Sequence, residues 1–248
     1  MSETEAPPPR PDDGFSPVET SRRLIRQART AALSTLARRT GHPFGSMVTV
    51  ACEPDGTPVI LLSGLAAHSR NLAEDPRASL LFEDRTLGDP QQGARVTVVG
   101  RVERLEDDAV ARRRYLTRNP DAALYAGFGD FAFFRLDVED AHLVAGFGRA
   151  VRVRREDLLL DVAAAADLLA EESHLLAVLS EDPRRIAAWA RRIGAPPGDW
   201  AVVGLDPEGL DLATTDEFGR QFRRLNLPET ASSRQAFEML LQRWEEVG

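Results

Sequence analysis

The sequence predicts a mainly β domain, of barrel or sandwich type, followed by a small α+β domain. Segments in which every second residue is apolar recur up to about residue 145, and residues 95–105 show this alternation most clearly. Turn residues separate the segments, among them Pro54-Asp55-Gly56, which is typical of a hairpin. Beyond Arg155 the chain becomes rich in Ala and Leu, a composition that favours helices. The boundary between the domains is therefore predicted near residue 152.

The first domain is expected to begin with a helix and to continue with short strands. Ser16, Pro17 and Glu19 form a capping box that predicts a helix ending near Ala28. Strands are predicted at residues 31–36, 46–52, 58–63, 78–83, 95–105, 131–138 and 141–145, with helices at 69–75 and 107–118. Residues 1–14 are rich in Pro, Asp and Glu and predict a disordered tail, so the β domain spans residues 15–152.

The second domain, residues 153–248, is expected to combine helices with one hairpin. Helical composition covers residues 158–179 and 183–193, and an amphipathic helix at 232–246 closes the chain. The turn Asp206-Pro207-Glu208-Gly209 joins strands predicted at 200–205 and 210–214. These elements together predict a small α+β unit.

Charge and cysteine content exclude several classes of function. The 248 residues contain 39 acids and 31 bases, every base an arginine, and the net charge of −8 disfavours nucleic acid and anionic membranes as partners. No apolar run reaches the roughly 18 residues of a membrane-spanning helix, and the N-terminus has no apolar signal segment, so we expect a cytoplasmic protein. The single Cys52 is too little for a disulfide or a cysteine metal site, and no metal site is predicted. Redox chemistry would therefore require a bound cofactor.

A turn with anion-binding character is the strongest candidate site. Residues 62–72 pass from a strand end into a helix start and carry Ser63, His68, Ser69 and Arg70. Backbone N–H groups at a helix N-terminus attract anions, and a guanidinium can grip a phosphate through two hydrogen bonds. The alternative interpretation is ordinary helix capping by Ser69, with Arg70 in solvent.

Motifs of hydrolytic and dinucleotide-binding enzymes are missing. The four histidines, His42, His68, His142 and His174, are far apart in sequence, and no Gly-x-Ser-x-Gly or His-Glu-x-x-His pattern occurs. His174 lies in a leucine-rich helical segment and is a candidate haem ligand, although a surface or core histidine is the commoner case. No catalytic residue is assigned.

The strand and turn segments resemble the pyridoxamine 5′-phosphate oxidase-like FMN-binding split barrel. The resemblance rests on the stretch from Pro43-Phe44-Gly45-Ser46 to Asp55-Gly56, on LSGLAAHSRNLAEDPRASLLFED (62–84) and on RVTVVGRVERL (95–105). FAFFRLDVEDAHLVAGFGRA (131–150), followed by a small α+β domain, resembles the haem-utilising branch of that superfamily. The resemblance implies a six-stranded antiparallel split β-barrel that forms a homodimer with ligand sites at the interface.

The resemblance also implies which residues meet a cofactor. By analogy with flavin-binding relatives, the FMN phosphate would contact Ser63, Ala67, His68, Ser69 and Arg70, and the flavin ring would lie against Ser46 and Val48. The Arg-Lys pair of the oxidases is replaced here by Ala67 and His68. Of the His-Met-Asn-x-Asp-His helix found in the haem-utilising branch, only the first histidine has a counterpart, His174.

Three functions follow, in order of preference. The first is an FMN-dependent oxidoreductase that acts on a small, unidentified substrate, with the chemistry supplied mostly by the flavin. The second is a haem-binding protein with His174 as its test residue. The third is a non-catalytic regulatory module that binds another protein, because a fold alone does not settle function.

Overall fold

A computed structural model describes residues 14–84, 92–146, 149–217 and 219–246. Apart from Gly14, the predicted tail lies outside the described residues. The first half of the chain forms the elements α1 (Pro17–Gln27), β1 (Thr30–Leu36), β2 (Pro43–Cys52), β3 (Pro58–Ser63), α2 (Ala67–Glu74), β4 (Arg77–Glu83), β5 (Ala94–Arg104), α3 (Ala109–Arg118), β6 (Phe131–Ala145) and β7 (Ala150–Arg154).

Strands β1 to β6 close into an antiparallel barrel, as the resemblance predicts. The sheet runs in the order β3-β2-β1-β4-β5-β6-β7, and an additional pairing of β3 with β6 closes it. Strand β7 is added outside the ring, on the free edge of β6. The predicted fold is confirmed, with one strand more than expected.

The barrel core follows from the alternation of the sequence. In β5, Val96, Val98, Gly100 and Val102 are buried, as the pattern predicts. Helix α1 places Leu24 and Ile25 in the same core. Its predicted cap is present, because Ser16 Oγ accepts a hydrogen bond of 3.2 Å from the N–H of Glu19.

Strand β6 differs from the prediction, which divided it in two. It is one strand of 15 residues with a bulge at Glu139, where the register against β5 shifts between Val99 and Gly100. The bulged residue has no partner on β5, so the buried apolar residues move from even to odd positions at this point. In the sequence this change looks like the end of one strand and the start of another. At the same place a Cβ on Gly100 would lie 2.1 Å from the carbonyl oxygen of Asp137, so only glycine fits.

The second half of the chain forms a three-stranded sheet covered by short helices. Its elements are α4 (Arg155–Leu158), α5 (Ala166–Ala170), α6 (Glu172–Ser180), α7 (Pro183–Arg192), β8 (Ala201–Asp206), β9 (Gly209–Asp216), β10 (Gly219–Asn226) and α8 (Arg234–Glu246). The hairpin of β8 and β9 and the closing helix α8 are as predicted, whereas β10, which extends the sheet beyond β9, is not. The helix predicted at residues 158–179 is wrong, because this stretch is divided among several short helices.

Buried ion pairs join the barrel to the second sheet. Arg26 of α1 and Arg224 of β10 both contact the carboxylate of Asp206, each at 2.7 Å, and all three side chains are at most 2% exposed. Arg224 also binds Asp211 at 3.0 Å, and Arg118 of α3 lies 3.7 Å from Asp211. Charged groups buried in this way require partners, so the two halves of the described chain share one electrostatic network.

No helix within the described residues has the length and apolar character needed to cross a membrane. The expected cytoplasmic location stays a prediction.

Candidate functional site

The turn after β3 has a carboxylate at its centre. Ser63 Oγ donates a hydrogen bond of 2.5 Å to Asp130 Oδ2, and Ser69 Oγ donates one of 2.6 Å to the carbonyl oxygen of Ser63. The N–H of Gly64 donates to the carbonyl of Asp130 at 2.7 Å. Both hydroxyls predicted to bind a phosphate therefore donate within the chain, and an ionised Asp130 would repel a phosphate at Ser63.

Helix α2 begins at Ala67, two residues before the predicted start. Ala66 occupies the N-cap position and no side chain caps the helix, so the alternative is wrong in making Ser69 the cap, whereas Arg70 is exposed, as that alternative expects. The first-turn N–H groups of a helix have no partners within it. The predicted affinity for an anion therefore comes from this uncapped helix end and from Arg70, whereas the two serines do not add to it.

His68 differs from the other three histidines in being half-buried. Its Nδ1 lies 3.1 Å from Ser46 Oγ, which is the only hydrogen bond to the ring within the described part of the chain. His42, His142 and His174 are exposed. Burial lowers the pKa of His68, so its imidazole is neutral at pH 7. Ser46, on the strand before, therefore fixes a neutral ring at the end of the barrel.

A cavity lined by arginines lies beside helix α2, which carries His68, although His68 itself is not one of the lining residues. This cavity, of about 370 Å³, lies between α2 and the loop that joins β1 to β2, and its lining includes Arg38, Arg39, Ala67 and Arg70. Arg38 pairs with Glu74 at 2.6 Å. Arg39 and Arg70 have no side-chain partner in the described residues. Two uncompensated cations thus face one cavity.

Buried Asn71 fixes the loop that supplies two of these arginines. Its Oδ1 accepts a hydrogen bond of 3.1 Å from the N–H of Arg38, and its Nδ2 donates one of 3.0 Å to Thr35 Oγ1. Asn71 is 7% exposed. A single buried amide therefore sets the distance between the loop and α2.

The apolar surface at this end of the barrel does not include Val48. Val48 is 7% exposed and packs in the barrel core, so the predicted contact between its side chain and a flavin ring would require the core to open. Phe44 and Met47 of the same strand are 37% and 57% exposed. They are the apolar side chains of β2 that an external ligand could contact.

The structure brings together most of the predicted site residues but not His174. Ser46, Ala67, His68 and Arg70 lie around one barrel end, whereas His174 is exposed on α6 of the second domain. Sequence reasoning missed Arg38, Arg39, Phe44 and Asp130. The Pro43-Phe44 segment is part of the family resemblance and could have indicated Phe44 as a site residue. Asp130 is 67 residues from Ser63, and no pattern in the sequence predicts their contact.

Comparison with known proteins relates this chain to haem proteins. Residues 16–159 match the family described as CREG, β-barrel. A chloroplastic heme oxygenase of Arabidopsis thaliana, HOZ, is 32% identical over 92% of this chain and 72% of its own length. These matches confirm the resemblance to the split-barrel family and its haem-utilising branch.

Solved structures extend the similarity beyond the barrel. A protein of unknown function from Agrobacterium tumefaciens superposes with a TM-score of 0.82 and 30% identity, covering 98% of each chain. A heme-binding protein from Mycobacterium smegmatis has a TM-score of 0.55 and 31% identity, covering 94% of this chain and 98% of its own. The similarity therefore includes the C-terminal half of the chain.

Proposed function

This chain belongs to the CREG β-barrel family, and from that premise we propose that it binds haem at the barrel end that carries His68. The observation that carries the proposal is a half-buried, neutral imidazole beside a cavity with two unpaired arginines. The similarity to a heme oxygenase and to a heme-binding protein supports the same conclusion.

The residues around the cavity match the chemistry of haem. An iron ligand must be deprotonated, and the second nitrogen of a ligating histidine is normally fixed by a hydrogen bond. In His68 the low pKa supplies the first condition and Ser46, at 3.1 Å from Nδ1, supplies the second. Nε2 would then be the atom that ligates iron. Arg39 and Arg70 would pair with the two propionates, because guanidinium groups bind carboxylates in a bidentate manner.

The bound group would supply the iron chemistry, and the chain would hold and shield it. Phe44, which lies on the same face of β2 as Ser46, offers exposed apolar surface to the macrocycle. A cavity of about 370 Å³ on one protomer is at the small end of the usual range for ligand pockets. A second protomer would enclose the remaining part of the ligand.

Asp130 makes haem the better candidate than FMN. A flavin phosphate at the turn would need Ser63 and Ser69 as donors, yet both already donate within the chain. The carboxylate of Asp130 adds repulsion at that point. Haem has no phosphate, and its carboxylates need only the arginines on the other side of α2.

A homodimer is part of the same proposal, because a patch on the outer face of the barrel has no charged residue. Eight residues that share cross-strand positions on β2, β1, β4 and β5 form this patch. None of them is buried, and they are Gly45, Met47, Ala32, Ser34, Ser79, Leu81, Thr97 and Val99. A surface patch without charge is typical of the centre of a protein interface. A second copy of the chain would cover it.

The test of haem binding is titration of the purified protein with haemin, followed by desalting and an absorption spectrum. We expect a retained Soret band for the wild type and for His174→Ala. His68→Ala should shift the band and weaken the affinity at least about tenfold, because the iron loses its protein ligand. Parallel titration with FMN should leave no flavin spectrum after desalting.

The controls separate loss of the ligand from loss of the fold. His42→Ala changes an exposed histidine on the neighbouring loop and should leave the Soret band unchanged. The far-UV circular dichroism of His68→Ala should equal that of the wild type. A spectrum that is insensitive to His68→Ala but altered by His174→Ala would contradict the assignment, as would retention of FMN in place of haem.

The test of the dimer is light scattering coupled to size exclusion. We expect twice the chain mass for the wild type and the chain mass for Ala32→Glu, because a charge within the uncharged patch opposes burial. Glu106→Ala, at an exposed position outside the patch, is the control and should stay dimeric. A wild-type protein that elutes as a monomer at micromolar concentration would refute the dimer.

A further inference from the structure

A second arginine-lined cleft separates the barrel from the C-terminal sheet. Its volume is about 570 Å³, and its walls come from α1, the start of β1 and the last part of β2 on one side and from β10 on the other. Its lining includes Arg23, Arg29, Arg220 and Arg223 but only two acids, Glu83 and Asp84. The cleft is therefore positive inside a protein whose net charge is −8.

Three of these arginines have no carboxylate partner within the described residues. Arg23 pairs with Asp84 at 3.2 Å. Arg29 makes no side-chain hydrogen bond or ion pair, and Arg223 donates only to the carbonyl oxygen of Phe222, at 2.8 Å. Arg220 donates to the carbonyl oxygen of Thr117 at 3.1 Å, while its Nε is buried and has no hydrogen-bond partner.

An orphaned buried donor in a charged cleft indicates a missing acceptor. Leaving such a group without a partner costs its desolvation free energy, more so for a charged group, and native structures rarely keep one without a reason. The cleft is lined by Arg220 itself, so an acceptor atom bound there would lie close to its guanidinium.

Arg29 and Arg220 converge at a glycine. A Cβ on Gly219, whose φ is +102°, would lie only 2.5 Å from Nη1 of Arg29. Glycine therefore lets the guanidinium of the barrel domain lie against the first residue of β10, next to Arg220. Burial lowers the pKa of Arg220, Asp121 partly offsets this effect, and Arg29 lowers the pKa further. An anion between the two cations would relieve their mutual repulsion.

We propose that this cleft binds a phosphate-bearing small molecule, at a site separate from the haem site. Arg29 and Arg220 converge at Gly219, and Arg223 lines the same cleft. This arrangement calls for a compact oxyanion with at least two negative charges, and a phosphate monoester or a diphosphate has that charge whereas one carboxylate does not. The ligand would bridge Arg29 of the barrel and Arg220 and Arg223 of the C-terminal sheet. Its binding would therefore strengthen the contact between the two domains.

The experiment is isothermal titration calorimetry of the full-length protein with inorganic pyrophosphate, in the absence of haem. We expect saturable binding by the wild type. Arg29→Gln and Arg223→Gln should each weaken the affinity at least about tenfold, because each removes a charge-assisted contact. Both residues lie at the cleft surface and outside the buried ion-pair network, so the variants should fold.

The matched control is Arg191→Gln, which removes an exposed arginine of α7 and should leave the affinity unchanged. Equal affinity in Arg29→Gln, Arg223→Gln and the wild type would overturn the proposal, and so would the lack of saturable binding. Loss of pyrophosphate binding after saturation with haem would overturn the separation of the two sites. Because the readout is heat of pyrophosphate binding, failure here leaves the Soret test of haem binding unaffected.

Discussion

Replacing Asp206 by asparagine should destabilise the protein more than any surface charge change. Asp206 is fully buried and contacts Arg26 and Arg224, each at 2.7 Å. The contact with Arg224 is a hydrogen bond, whereas Arg26 Nη1 faces Asp206 Oδ2 without hydrogen-bond alignment, so that contact is electrostatic. Asp206→Asn preserves the shape of the side chain and removes the charge on which both arginines depend.

The size of the effect follows from burial and from the pKa. Burial alone would raise the pKa of Asp206, but Arg224 and Arg26 outweigh it and lower the pKa from 3.8 to about 2. A shift of this size corresponds to roughly 2–3 kcal/mol of stability at neutral pH. Removing one partner of a buried ion pair costs about 3–5 kcal/mol, because the remaining charges are left uncompensated. We therefore expect Asp206→Asn to lower the free energy of unfolding by about 3 kcal/mol or more at pH 7.

The pH dependence gives a second, independent readout. The pKa of Asp206 is lower in the folded chain than in the unfolded chain, so its stabilisation is complete above about pH 4 and is lost as the pH falls towards 2. The assay is urea unfolding of wild type and variant from pH 7 down to pH 3. The difference in unfolding free energy should be constant down to about pH 4 and should decrease below it.

Asp75 provides the control for this prediction. Its pKa is also lowered to about 2, by hydrogen bonds from Arg77, but this pair is exposed at the surface. Asp75→Asn should therefore leave the unfolding free energy within experimental error at pH 7. Equal effects of Asp75→Asn and Asp206→Asn, or a difference for Asp206 that does not change below pH 4, would refute the reasoning.

Three further predictions concern the barrel. Asn71→Ala should lower the free energy of unfolding, measured in urea, by about 1–3 kcal/mol, because two hydrogen bonds of a buried amide are lost. Gln242→Ala, at an exposed position of α8, is the control and should not lower it. Gly100→Ala should lower the free energy of unfolding by about 3 kcal/mol in the same assay, because a Cβ would lie 2.1 Å from the carbonyl oxygen of Asp137. Gly127→Ala, where no atom lies near a Cβ, should leave it unchanged. Burial raises the pKa of Tyr115 to about 12, so spectrophotometric titration should show a tyrosine transition near pH 12 that Tyr115→Phe removes.

Local signals predicted most of the barrel because its strands alternate strictly. One face of β5 lies in a core that excludes water, so apolar residues occupy every second position of the strand. The capping box at Ser16 is equally local, since it depends on a contact across three residues. Elements of this kind can be predicted without knowing the rest of the fold.

Strand β10 was missed because arginine conceals its periodicity. The sequence GRQFRRLN carries three arginines, yet the side chain of Arg224 is buried, and Asp206 and Asp211 neutralise it. A hydropathy pattern assigns every arginine to solvent, whereas a paired arginine can occupy a core position. The strand becomes recognisable only when its partners on β8 and β9 are known.

The candidate site was predicted in part, and the missing part is tertiary. Residues 62–72 carry a recognisable strand-to-helix turn, so His68 and Arg70 could be selected from the sequence. Whether Ser63 is free to bind a ligand depends on Asp130, which comes from the far end of the α3–β6 connection. The preference for FMN rested on the resemblance to flavin-binding relatives, and the contacts of Ser63 and Ser69 within the chain do not favour it.

Arginine distribution provides the more general criterion for ligand sites in this chain. An arginine side chain stays charged at any pH that a folded protein meets, so a buried one requires an acceptor. Arg26 and Arg224 have theirs in Asp206, and these buried groups hold the domains together. Arg70 at the barrel end and Arg29 in the interdomain cleft are exposed instead, line a cavity each and have no acceptor in the described residues. All 31 bases are arginines, so every positive side chain other than histidine is a guanidinium. Two such groups that line one cavity without a carboxylate partner therefore indicate a site for an anionic ligand.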